Sequence, residues 1–100
     1  MSRDEFHEVL CDILGSRNVY FQPPESLKIK YPAIIYKLDK IKNTRADDGL
    51  YKYDEAMAVT LVHKDPDNDI YPKLLKLPKS SFNTDYTKDN LNHYSFTIYI

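Results

Sequence analysis

The chain has 100 residues, 42% of them hydrophobic, with 14 Lys+Arg against 15 Asp+Glu and a formal net charge of -1. That length supports one domain over residues 1–100, burying roughly 65% of its unfolded surface without metal or disulfide staples. The composition excludes a disordered tail, a flexible linker and a collagen-like repeat, and the near-neutral charge argues against a protein dedicated to coating DNA.

The single Cys11 can form no internal bridge and points to synthesis in a reducing cytosol. No run approaches the roughly 18 apolar residues that would cross a bilayer. The start, Ser2-Arg3-Asp4-Glu5, is too acidic and polar for a signal or transit peptide. A soluble, unprocessed chain is expected.

Ser2 and Glu5 form a capping-box pattern that predicts a helix start. Behind it Phe6, Val9, Leu10, Ile13 and Leu14 make one apolar stripe at helical spacing, and Asp4, Glu5, Glu8 and Asp12 take the wet side. Gly15 ends the helix. Asn18 to Gln22 is a short β-rich run stopped by Pro23-Pro24. Residues 27–31 alternate, with Leu27, Ile29 and Tyr31 against Lys28 and Lys30. A strand begins after Pro32 and runs from Ala33 to Ile41, with Ile34, Tyr36 and Leu38 on one face. Residues 42–52 read as a turn region longer than a minimal hairpin, and Tyr53 to His63 as the return strand, with Met57, Val59 and Leu61 alternating.

Asp65-Pro66-Asp67-Asn68-Asp69 stops that strand. Asp69 is expected to cap a short helix carrying Ile70, Tyr71, Leu74 and Leu75, with Pro72 in its first turn and Pro78 closing it. Strands Ser81 to Tyr86 and Asn92 to Ile100 follow, joined by a polar turn around Lys88-Asp89-Asn90, and Tyr94, Phe96, Ile98 and Ile100 share a face. The order predicts an α+β fold: two layers, with a mostly antiparallel sheet of about four or five strands. An N-terminal helix and a short second helix pack on one face.

Chemical motifs are few. Asp65, Asp67 and Asp69 have the spacing of the first calcium-loop ligands, but Ile70 stands where glycine is required and Lys76 where glutamate is required, so a turn plus cap is the better reading. His7, His63 and His93 lie far apart, and His7 with Cys11 one turn on reads as a helix-surface pair. With two glycines and no nucleophile–base spacing, no catalytic residue, cofactor-binding residue or metal ligand is assigned, and an enzyme is not expected. Nucleic-acid binding has a better claim. Lys28, Lys30, Lys37, Lys40, Lys42 and Arg45 form a basic stretch, although Tyr36, Phe82, Tyr94 and Phe96 fall on expected core faces.

Residues 28–45 carry six basic and one acidic side chain, whereas residues 46–69 carry Lys52 and Lys64 against Asp47, Asp48, Asp54, Glu55, Asp65, Asp67 and Asp69. Two readings are open. The arms of the hairpin pair their charges across the ladder, or the positive flank of one subunit meets the negative flank of the next.

The ordered pattern resembles the tail-completion or tail-terminator proteins of long-tailed bacteriophages. It comprises the N-terminal helix, Val19-Tyr20-Phe21-Gln22-Pro23-Pro24, Tyr31-Pro32-Ala33-Ile34-Ile35-Tyr36, a charged hairpin, the Asp-Pro-Asp turn with its short helix, and the run from Asn90 to Tyr99. It covers essentially the whole chain. The resemblance implies a structural virion protein, made in the bacterial cytoplasm, that forms a homo-oligomeric ring, usually a hexamer. That ring caps the tail tube and joins it to the head connector, with genomic DNA passing through the lumen without specific binding and no membrane involved. It implies no cofactor and no catalytic residue. On this reading Lys40, Lys42, Arg45, Asp47, Asp48, Tyr51, Tyr53 and Asp54 are expected in subunit or neighbour contacts. The alternative is a small nucleic-acid-binding or regulatory phage protein that uses the basic 28–45 stretch; an inhibitor of a host protein is a third reading.

Overall fold

The Ser2 hydroxyl accepts a hydrogen bond from the Glu5 backbone N–H at 3.2 Å and opens the first helix, α1 (Arg3–Leu14), in the computed structural model of this chain. Residues 2–46 and 49–100 are described, and the side chains of all of these except residues 42–53. The capping box is half made: the Glu5 carboxylate accepts a hydrogen bond from the Ser2 hydroxyl at 3.2 Å instead of reaching back to the Ser2 N–H. Phe6, Leu10, Cys11 and Leu14 are buried, while Val9 and Ile13 sit at the margins of the stripe. Gly15 adopts φ +79°, a conformation that a side chain would disfavour, and its N–H bonds the Cys11 carbonyl at 2.8 Å.

Five strands follow: β1 (Val19–Phe21), β2 (Ala33–Ala46), β3 (Gly49–His63), β4 (Ser80–Lys88) and β5 (Leu91–Tyr99). They lie in one sheet in the order β1-β2-β3-β5-β4. All neighbours are antiparallel except β1 and β2, which are parallel with Val19 opposite Ile34. The sheet is therefore mixed, and the α+β expectation holds with one strand reversed. The reversal follows from the connection: residues 22–32 are long enough to carry the chain back to the start of β2, as a parallel pair requires. Gln22 extends the short β1 edge, its N–H bonding the Tyr36 carbonyl at 2.9 Å and its Oε1 accepting from Leu38 N–H at 3.2 Å.

The larger departure is the hairpin. Residues 42–52 were expected as a turn, yet β2 and β3 stay paired as far as Ala46 and Gly49, with register shifts that leave Asp39 and Tyr51 without direct partners. A period-two reading depends on a buried face. This ribbon is polar in sequence, so its Asn, Asp and Lys residues read as loop. Asp47 and Asp48 lie outside the described residues.

The expected core faces meet in register. Ile34, Leu61 and Tyr94 form one row across the sheet, Tyr36, Val59 and Phe96 the next, and Leu38, Met57 and Ile98 the third. Phe6, Leu10 and Leu14 of α1 and Ile70 and Leu74 of the second helix, α2 (Ile70–Leu75), close over them into one apolar cluster. Leu10 and Leu74 are fully buried, so truncating either to Ala costs about 2–5 kcal/mol. Between β4 and β5 the turn residues Asp89 and Asn90 take φ values of 54° and 63°, the left-handed pair of a two-residue hairpin turn.

The cap of α2 falls on Asn68 and not on Asp69, whose side chain makes no capping bond. Asn68 Oδ1 accepts from the N–H groups of Ile70 at 3.1 Å and Tyr71 at 3.2 Å, and its Nδ2 donates to the Asp65 carbonyl at 2.8 Å. An amide side chain can both accept and donate here. A carboxylate can only accept, which explains the choice. Asp69 instead lies 3.7 Å from Lys73 as an exposed ion pair. Among the described residues no helix is long and apolar enough to cross a membrane.

Candidate functional site

Of the eight residues expected at contacts, Lys42, Arg45, Tyr51, Tyr53 and Asp54 belong to one structure, a two-stranded arm, and Lys40 lies at its root. Strand β1 stops opposite Tyr36 and β5 opposite Ala56, with Ile100 adding backbone bonds to Glu55 at 2.9 and 3.4 Å. From Lys42 and Asp54 outward, β2 and β3 pair with no further strand among the described residues. Lys42 lies directly across from Asp54, Asn43 from Tyr53 and Arg45 from Leu50, while Lys40 pairs with Ala56. The side chains of Lys42, Arg45, Tyr51 and Tyr53 are not among those described, and Asp47 and Asp48 fall outside the described residues altogether. At the root of the arm Ile41 is 60% exposed.

This register bears on the two charge readings. Lys40, Lys42, Arg45 and Lys52 share β2 and β3 with the acidic Asp54 and Glu55. The remaining acids of the negative stretch, Asp65, Asp67 and Asp69, follow His63 at the other end of β3. The negative stretch is thus divided between the two ends of the sheet, and one register pair of the arm, Lys42 with Asp54, joins residues of opposite sign. A cross-strand pair of this kind contributes about 0.2–1 kcal/mol.

The Asp65 loop is a turn held by its own polar groups. Asp65 Oδ1 accepts from Asp67 N–H at 2.9 Å, and the Asp65 N–H donates to His63 Nδ1 at 3.0 Å. Asn92 Nδ2 donates to the carbonyls of His63 at 3.3 Å and Lys64 at 3.2 Å. Among the described residues no three His, Cys, Asp or Glu side chains converge as metal ligands. His7 turns away from Cys11: its Nδ1 lies 2.7 Å from the Tyr36 hydroxyl. Cys11 is buried, and burial pushes its thiol pKa up. That leaves it a poor nucleophile.

Of the rings expected in the core, Tyr36, Tyr94 and Phe96 are buried, but Phe82 is 46% exposed. Phe82 does stand on the core face, opposite Phe96 and edge-on to it at 5.5 Å, yet β4 is the sheet edge and α2, which lines the groove beside it, leaves the ring half exposed. The result is an open groove of about 430 Å³ between α2 and β4, with Pro66, Tyr71, Leu75, Phe82, Tyr94 and Phe96 as its apolar wall and Asp85 and Asn92 at its polar end. Sequence reasoning missed this feature. Its one signal was an apolar Leu75 and Phe82 placed beside elements too short to cover them.

No protein-family model matches this sequence, and no curated protein matches it.

Proposed function

We propose that this protein is a structural subunit that acts in multiples. It is a tail-terminator or tail-completion protein whose ring closes a phage tail tube and joins it to the head connector, DNA passing through without specific contact. The resemblance in the order of motifs suggests this role. The observation that carries it is the arm, in which β2 and β3 remain paired well beyond the last residue of either flanking strand.

A two-stranded ribbon by itself is marginally stable in water. A ribbon projecting from a small domain therefore gains from cover by a second chain, and repeating one such contact around an axis generates a ring. A chain of 11.8 kDa supplies little surface alone, but several copies multiply each contact. The reading assigns the protein no bond-making or bond-breaking step, and it places the chain in the virion neck after synthesis in the host cytoplasm.

Electron microscopy of purified virions with an antibody against this chain tests the assignment. Label at the head-proximal end of the tail is expected; virions that lack the protein overturn it.

A further inference from the structure

We propose that the outer edge of β4, with the apolar groove beside it, receives as an added strand the Leu27–Tyr31 segment of a second copy of this chain. The inference deepens the ring reading, on which it rests, by naming the contact between subunits.

The acceptor is an edge. Among the described residues nothing pairs with β4 on its outer side, and its side chains are exposed from Ser81 to Lys88. The register shift at Asn83 leaves Thr84 to Lys88 as the regular part of that edge, five residues long. On the helical face this edge sets Asp85 at the groove, and the apolar part beyond it carries Phe82, 46% exposed, and Leu75, 49% exposed. An extended segment bound there would satisfy the outward backbone groups of β4 and send every second side chain into the groove.

The donor is in the same chain. Residues 27–31, Leu-Lys-Ile-Lys-Tyr, carry the strict alternation of a strand with one apolar side, yet they form no strand in the folded subunit. Leu27 is 43% and Tyr31 41% exposed. Among the described residues, Lys28 to Tyr31 make no backbone hydrogen bond at all, and Leu27 bonds only the Pro24 carbonyl at 3.0 Å. Five residues patterned as a strand, four of them with no backbone bond among the described residues, match a five-residue edge that lacks a strand.

The segment cannot fill its own groove. It is tied at Ala33 to β2, and the site beyond β4 lies four strand spacings away, about 19 Å at 4.8 Å each. Tyr31 is two residues from Ala33, a reach of about 7 Å. The occupant is therefore another copy. Donor and acceptor belong to opposite sides of the strand order, so each subunit can give on one side and receive on the other, the head-to-tail arrangement that closes into a ring.

The test uses the full chain and a fluorescent peptide of residues 25–32. Saturable binding below about 1 mM is expected. Phe82→Glu and Leu75→Glu, both at half-exposed positions, should each weaken it by about tenfold or more while thermal unfolding stays cooperative. A peptide with Leu27→Ser and Tyr31→Ser should not bind. Absent binding, or binding that neither groove variant weakens, overturns the proposal. The same double substitution in the full chain separates the two claims. Assembly equal to wild type overturns the strand exchange and leaves the ring intact. Peptide binding by a wild-type chain that never assembles leaves the docking site and removes the ring.

Discussion

The Nδ1 of His7 and the hydroxyl of Tyr36 meet at 2.7 Å, joining α1 to the middle of β2. Tyr36 is buried in the row it shares with Val59 and Phe96, and its ring also packs edge-on against Phe6 at 5.6 Å and tilted against Phe21 at 5.0 Å. The contact is a polar end on an otherwise apolar anchor.

Tyr36→Phe keeps the rings and removes only that bond, so it should lower unfolding stability by about 1 kcal/mol. Tyr36→Ala opens a cavity and should cost about 3–5 kcal/mol. Urea denaturation followed by circular dichroism measures both. Equal losses would mean that the ring packing has been misjudged.

Asn68 and Asp69 make a matched pair of substitutions. Asn68→Ala removes two accepted bonds at the start of α2 and one donated to the Asp65 carbonyl, and should cost about 1–2 kcal/mol. Asp69→Ala removes an exposed ion pair and should stay within about 0.5 kcal/mol. Thermal melts of the two variants give the comparison, and a larger loss at Asp69 would restore the cap to that residue.

Much of this architecture is legible in the residues. Ser2, the stripe from Phe6 to Leu14, and Gly15 define α1 because cap, period and stop agree. The alternation around Ile34, Val59 and Phe96 finds the core face because that face is buried. Three features escape for physical reasons. The arm has no expected core face, so its polar residues carry no period. The direction of β1 depends on the path of residues 22–32, whose turn from Pro24 to Leu27 does not by itself fix where the chain re-enters the sheet. The exposure of Phe82 depends on α2 ending at Leu75, and side-chain pattern on β4 does not report the reach of a helix in another layer. The cap of α2 moved by one residue because the loop needed a donor as well as an acceptor.

Alkaline pH should destabilise the fold. Burial raises the pKa of Cys11 above its ordinary 9.0 and of Tyr36 and Tyr94 above 10.0. A group whose folded pKa lies above its unfolded value favours the folded state fully below the unfolded pKa, and that contribution is lost as pH rises through the folded one. Stability should therefore be flat in these groups at pH 7 and fall from about pH 9 upward. Denaturant midpoints between pH 7 and 11 check the trend. Cys11→Ala and Tyr94→Phe should each make the decline shallower, and an unchanged slope in both would assign it to other groups.

Reversing charge on the arm should disturb assembly more than folding. Lys42→Glu with Arg45→Glu places like charge opposite Asp54 and removes two cations from the ribbon. The melting temperature should move by a few degrees at most, because the core row of Tyr36, Val59 and Phe96 is untouched. Light scattering should show loss of the oligomer, and equal assembly by the double variant and wild type would remove this arm from the contact. DNA affinity provides the control for the competing reading. A nucleic-acid module would bind with an affinity falling steeply as salt rises, whereas a ring subunit should show no such dependence.

Native mass spectrometry of the purified full chain, over concentrations up to about 1 mM, asks the central question directly. A discrete closed multiple of the 11.8 kDa subunit, six copies by the family resemblance, is the predicted result. A monomer at every concentration would contradict it.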